Sequence, residues 1–379
     1  MSTIIRTRSP FFIRTPQEAD ANLSYFQINI TIASGVLGVA GCPANLGTFT
    51  LQKKPLTGED SVSFDISELV NDFIEQKFIN NTPLTGYNVS ADTQSVWVTV
   101  VTSARESDGT IIGSTTTTNY LAQENYNDFK DGVNYTTEPL VMISGNYIQY
   151  NKGDYIYLPV NVEKVSSVIF MYNSSVISTY GVSDNGNANQ KIDYAYYLTT
   201  NQEINTIRYV ADDVAYTITV KQIEECKYPV HKIVFLNRWG AFQDLYFFKK
   251  SVESLESRSE NFNRSIFQAR QVYYTEREGE CDENYNYNVY STTAHAKKTF
   301  NANATESISL NTGFVPESMN PYFEELMVSE YVWLIDENDV VYPVNLKDSS
   351  FTYKTGLNDR LINYTMNFEK SFDLVNNIR

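Results

Sequence analysis

The sequence predicts a mainly β protein, built as several β-sandwich-like units in one chain with a few short helices. Three observations predict it. Tyr supplies 28 of the 379 residues and Thr is frequent, a composition that suits pleated, half-buried strands. Apolar residues recur with period two, as in Phe26, Ile28, Ile30 and Ile32 and again in Val96, Val98 and Val100. Turn formers such as Asp108-Gly109 and Asp212-Asp213 then separate the apolar runs. The length exceeds one ordinary core, and at about 150 residues per domain it suggests two or three domains.

Residues 1–20 read as an extended N-terminal arm. Pro10 and Pro16 break regular structure, and Phe11, Phe12 and Ile13 lie between them. Such apolar side chains need a groove, and the expectation is that a neighbouring subunit supplies it. Residues 21–135 read as a β-sandwich-like domain with one helix. Asp65 and Glu68 have capping-box spacing, and Ile66, Leu69, Val70, Phe73 and Ile74 mark one helical face.

Residues 136–225 read as a second β domain. Tyr147 to Tyr157 resembles a hairpin around Asn151–Asp154, and a later hairpin pairs 204–210 with 214–220 across Asp212-Asp213. The Asn- and Gly-rich segment Ser183–Gln190 reads as an exposed loop. Residues 226–379 read as a C-terminal β-rich domain. It opens with the apolar runs Ile233–Leu236 and Leu245–Phe248, which require burial on both faces. Ser251 to Asn288 is a long polar stretch. Asn320-Pro321 starts a helix, an acidic turn at Asp336–Asp339 joins two strands, and Ile362, Tyr364, Met366 and Phe368 alternate in the last strand.

The chemistry of a catalytic site is missing from the sequence. His231 and His295 are the two histidines, and neither stands in a nucleophile motif. No phosphate-binding loop or HExxH occurs. The carboxylate clusters fall between strands, where Asp and Asn serve turn geometry. Cys42, Cys226 and Cys281 are odd in number and widely spaced, so they read as free buried thiols rather than disulfides or zinc ligands. No cofactor or metal is expected. A net charge of −16 repels phosphate backbones, which argues against specific nucleic-acid binding. No apolar run reaches about 18 residues, so no membrane partner is expected. Arg238 and Trp239, at the tip of the opening hairpin, fit either an interface anchor or the closure of their own core.

The string FLNRWGAFQDLYF (235–247) is similar to a signature of virion structural proteins in tailed phages, especially the crAss-like phages of gut Bacteroidales. The C-terminal VVYPVNLKDSSFTYKTGLNDRLINYTMNFEKS and the basic RTRSPFFIRT near the start resemble the same family. Where the pattern has a second Gly after Gly240, this chain has Ala241. The resemblance implies a non-enzymatic ring protein of the tail or collar, assembled in the bacterial cytoplasm and residing in the virion. Its partners would be identical subunits, twelve by analogy with dodecameric portals, and other tail or portal proteins. An acidic lumen would let DNA pass without sticking. Phe11, Phe12, Ile13, Arg238 and Trp239 are the interface candidates. The alternatives are a receptor- or glycan-binding fibre or baseplate module, with aromatics gathered on one face, and a polysaccharide-degrading enzyme with paired carboxylates in a cleft.

Overall fold

A computed structural model describes residues 4–35, 44–78, 94–127, 134, 138–183, 191–200, 202–265, 267–272, 285–290, 293–348, 350, 352 and 361–374. Strands dominate, and the α-helices among the described residues are Ser67–Asn71 and Asn320–Val328. Neither is long and apolar enough to cross a membrane.

The first unit is a five-stranded sheet in the order Ile4–Arg6, Ile111–Gln123, Ser95–Arg105, Tyr25–Ser34, Ala44–Lys53. The alternation seen in the sequence sets its register: Ile30 faces Val100 and Ile32 faces Val98 across an antiparallel pair. Ile28, Ile30, Ile32, Val96 and Val98 all lose their solvent contact. They pack on Ile66, Val70 and Ile74 from the helical segment. The Asp108-Gly109 turn forms as expected, with Gly109 at φ +93° and the Asp108 carboxylate accepting the Thr110 N–H at 2.8 Å.

Two expectations fail in this unit. The helix is little more than one turn, and no capping box forms. Asp65 accepts both the N–H and the hydroxyl of Ser67, at 3.1 and 2.8 Å, and the N–H of Phe11 at 3.1 Å. Its carboxylate thus ties the helix start to the N-terminal arm. The arm itself packs in cis, not on a neighbour. Ile4–Arg6 pairs in parallel with Leu121–Gln123, and Phe12–Arg14 pairs with Ser63–Asp65. Alternation along Phe11–Ile13, leading into that short strand, buries Phe11 and Ile13 in the unit's own core and leaves Phe12 about half exposed.

The second unit contains the expected hairpin across Asp212-Asp213. Ala211 faces Val214, and both aspartates sit at positive φ, 48° and 60°, as a two-residue type I′ connection requires. The proposed 147–157 hairpin does not form. Its turn is present, with Gly153 at φ +99°. But Tyr147–Tyr150 pairs in parallel with Val214–Gln222, while Tyr155–Asn161 pairs with Ile192–Leu198. Thr199 explains the separation. Its hydroxyl accepts the Gly153 N–H at 2.8 Å and donates to the Asp154 carbonyl at 2.8 Å, holding the turn against the end of strand Ile192–Leu198. The turn is a corner between two sheets. Residues 184–190 of the expected Asn/Gly loop lie outside the described residues.

The third unit is a seven-stranded sheet in the order Phe242–Phe247, His231–Leu236, Val332–Ile335, Val341–Leu346, Thr365–Lys370, Lys297–Asn311, Val252–Asn263. His231–Leu236 is buried on both faces, as its unbroken apolar run requires. Ile233 and Phe235 enter one cluster, Val234 and Leu236 another. The larger cluster joins Ile156, Val168, Phe170 and Ile207 to Phe235, Phe247, Phe323 and Phe368. One core therefore crosses the boundary expected near residue 225. Cys226 is free and exposed rather than buried, while Cys42 and Cys281 lie outside the described residues.

Gly313 turns the chain out of strand Lys297–Asn311 at φ +68°, and a Cβ there would come within 2.6 Å of the Phe248 ring. Left-handed backbone and close packing coincide, so Gly313→Ala is expected to cost about 2 kcal/mol. A urea midpoint unchanged from wild type would refute this.

Candidate assembly interface

The third unit's sheet does not end at its own core. Val252–Asn263 and Lys297–Asn311 run antiparallel from Val252↔Ser309 to Asn263↔Lys297. Only Ser307–Asn311 of the second strand also pairs with Thr365–Lys370. The Asp373–Leu374 segment braces Asn303 to Thr305, with the Leu374 N–H donating to the Ala304 carbonyl at 2.7 Å. Farther out the strand pairing among the described residues joins the two strands to each other, and the paired strands Phe267–Val272 and Tyr285–Tyr290 follow along the chain. Every residue of Val252–Asn263 is exposed, including Val252, Leu255 and Phe262. Sequence reasoning saw a polar stretch here. A strand wet on both faces shows no apolar alternation, so its period leaves no mark.

At the base of this ribbon a groove of about 480 Å³ opens across the sheet face. Leu255, Ile308, Leu334 and Tyr342 contribute apolar walls, and Glu253, Glu306 and Asp336 contribute carboxylates. Among the described residues Lys370 is the lysine that lines it; it is paired with Glu306 and stands 4.2 Å over the Tyr342 ring. His231 also lines the groove. It is buried, its Nε2 is 3.4 Å from the Ser251 hydroxyl, and its Nδ1 has no hydrogen-bond partner. Burial holds the imidazole pKa below its usual value, against the opposing pull of Glu253, Glu337 and Asp336.

Arg238 and Trp239 sit elsewhere, where the arm and the first unit meet the third. Asn237 shapes their loop: its side-chain oxygen accepts the N–H groups of Trp239 and Ala241 at 3.0 and 3.1 Å. Gly240 at φ +76° lets the loop approach the Glu124 carbonyl, which a Cβ would meet at 3.0 Å. Two cations lie close to the Trp239 ring, the Arg6 guanidinium 5.0 Å and that of Arg238 4.8 Å from its centre. Trp239 also packs against the cluster of Leu236, Phe242 and Tyr194. Arg6 is buried, donates to Glu138 at 3.0 Å and bonds Asn127. Arg8 reaches Glu330 at 3.2 Å and the Val328 carbonyl at 2.8 Å.

Of the five interface candidates, Phe11 and Ile13 are therefore core residues, Phe12 is exposed, and Arg238 and Trp239 form a clamp within the chain. The sequence signals missed were Arg6 and Arg8, which were not among the candidates, and the polar ribbon.

Two carboxyls in the clamp region are displaced upward by burial. Glu124 is pushed up to about 7 by desolvation and then by Glu330, with Arg8 opposing. Glu325 is pushed up to about 7 by desolvation; its bonds with the Ser144 hydroxyl and the Arg238 N–H oppose this. Both groups bind a proton more tightly in the folded chain than in the unfolded one. Their contribution is present in full below the unfolded pKa near 4.5 and is lost as pH rises through about 7. The melting temperature is expected to fall between pH 5.5 and 7.5. Glu325→Gln should flatten that slope and stabilise the chain by about 1–2 kcal/mol at pH 7.5. A slope identical to wild type would show that the residue does not titrate there.

Among the described residues, no group of three or more His, Cys, Asp and Glu side chains is placed to hold a metal ion. Two further carboxyls, Asp154 and Asp244, are raised by desolvation beside Tyr246. The cavity lined by Asp244 and Tyr246 measures about 30 Å³, room for about one water. Comparison with known proteins adds no relative: no family model matches the chain, and the search of curated proteins found no match.

Proposed function

We propose that this chain is a structural subunit of a phage virion, working in a closed ring of identical copies in the tail or collar. The observation that carries the reading is the ribbon. An isolated two-stranded ribbon is marginal in water, and one with both faces wet is stabilised by what covers it. Among the described residues, the edge strands Ala44–Lys53 and Ser175–Gly181 point the same way. Long unpaired edges are hazards to a monomer and joints in an assembly. The resemblance of 235–247 and of the C-terminal string to virion proteins supplies the setting, and the twelve-fold copy number rests on that resemblance alone. Symmetry-averaged images of purified virions, with peptide counting, test the reading. A ring of density accommodating this fold is the expected result. Density for it at a trimeric fibre or on the capsid lattice would overturn it.

A glycan-binding module is the second reading, and one feature favours it. Tyr155, Tyr157, Tyr196 and Tyr180, scattered in sequence, stand together with ring centres 5.3–6.0 Å apart. They are half-buried against one another, and the 30 Å³ cavity beside Tyr155 and Tyr157 is too small for a sugar ring. We therefore place the glycan reading second, and catalysis on a glycan after it.

A further inference from the structure

The ribbon is electrically divided. Its far half carries Arg258, Arg264, Lys297 and Lys298 against the single carboxylate Glu260, all exposed. Phe262 lies directly across from Lys298 and is 44% exposed. Its near half carries Glu253, Glu256 and Glu306 and no cation of its own. The groove at the base continues that acidity through Asp336 and adds apolar walls from Leu255, Leu334 and Ile308. Glu306 is satisfied by Lys370 and Glu256 is paired with Lys347 at 3.7 Å, but Glu253, also on the groove, has no ion-pair partner among the described residues. A ligand for this groove should be apolar and cationic at once, and the far half of the ribbon is both.

The two surfaces cannot meet within one molecule. Ten residues separate Glu253 from Asn263 along a paired strand, about 33 Å at about 3.3 Å per residue. A twisted antiparallel ribbon does not fold back on its own base without breaking its ladder. A second copy meets no such obstacle. The chain as a whole is strongly acidic, so a basic segment of this kind is drawn to the acidic groove of another copy and repelled by little else on it.

Resting on the ring reading above, we infer that the basic far half of one copy's ribbon docks in the acidic groove at the base of the next copy's ribbon. The joint is head to tail, because the two surfaces differ. Such a joint closes into a ring when its rotation divides a full turn, and otherwise runs on as a filament.

The full chain tests this by sedimentation velocity at low and high salt. Wild type should self-associate at low salt and dissociate at about 0.5 M salt, where screening acts over a few ångströms. Lys297→Glu with Lys298→Glu, and separately Glu253→Lys with Leu255→Lys, should each weaken association at least about tenfold. All four positions are exposed, so circular dichroism should show both variants folded. An equimolar mixture of the two variants should regain association, because the acidic ribbon of one then meets the basic groove of the other. Variants that associate as wild type does would overturn the joint while leaving the ring reading intact. A wild type that stays monomeric at every salt concentration would also overturn it, and the ring reading would then stand or fall on the virion images.

Discussion

Arg6→Ala is expected to destabilise the chain by about 3–5 kcal/mol, the loss typical of removing one partner from a buried ion pair. Arg6 is 2% exposed and works in three directions. Its guanidinium donates to Glu138, bonds Asn127 and stacks on Trp239. Alanine would leave Glu138 facing a void and remove one cation from the indole face. The surroundings cannot absorb the change. Gln123 Nε2, Glu124 Oε1, Arg238 Nε and Trp239 Nε1 are already buried without hydrogen-bond partners. Each such group costs about 1–3 kcal/mol, so the arginine holds together a seam with little reserve. Arg6→Lys should recover only part of the loss, since an ammonium lacks the planar fork that reaches both partners. Urea unfolding with Trp fluorescence reads the effect directly. A loss under about 1 kcal/mol would mean that the arm is not held through this residue.

Phe368→Ala should be comparably severe, at about 3–5 kcal/mol, and its reach is the more informative result. Phe368 has no exposed surface and meets the edge of Phe247 with ring centres 5.8 Å apart. Its cluster also contains Phe170, Ile207 and Leu158 from the second unit. A cavity there loosens both units. Hydrogen exchange should show amides in Val165–Tyr172 and Thr206–Ala211 losing protection together with those of Thr365–Lys370. Loss confined to the third unit would refute a shared core.

Much of this fold was legible wherever a strand has one wet face and one dry face. Phe26 to Ile32 and Met366 to Phe368 announce themselves because period-two burial is written in period-two chemistry. The continuous run at 233–236 was legible for the complementary reason, with two dry faces and two clusters to fill. Illegible segments share a different property: their partners are remote. The arm looked as if it needed a neighbour because nothing near it in sequence could bury Phe11 and Ile13, yet Val62 and Phe64 from its own unit do so. The turn at 151–154 had hairpin chemistry, but Thr199 decided its use. Of the candidate interface, Arg238 and Trp239 were visible as a motif. Their cationic partner Arg6 was hidden by distance, and the ribbon by uniform polarity.

The parallel pairing of the first strand also orders events in time. Ile4 hydrogen-bonds alongside Leu121, and Arg8 finishes on a carbonyl 320 residues away. On a ribosome that adds roughly 5–20 residues per second, Ile4–Arg6 can pair once Leu121–Gln123 is made, but Arg8 reaches Val328 only about 200 residues later. Phe11 and Ile13 are uncovered only until Val62 and Phe64 are made, whereas Arg6 has no indole to rest on until Trp239 is. The arm's backbone can thus be seated long before its two arginines find their last partners at Trp239, Val328 and Glu330, so the seam closes in two stages.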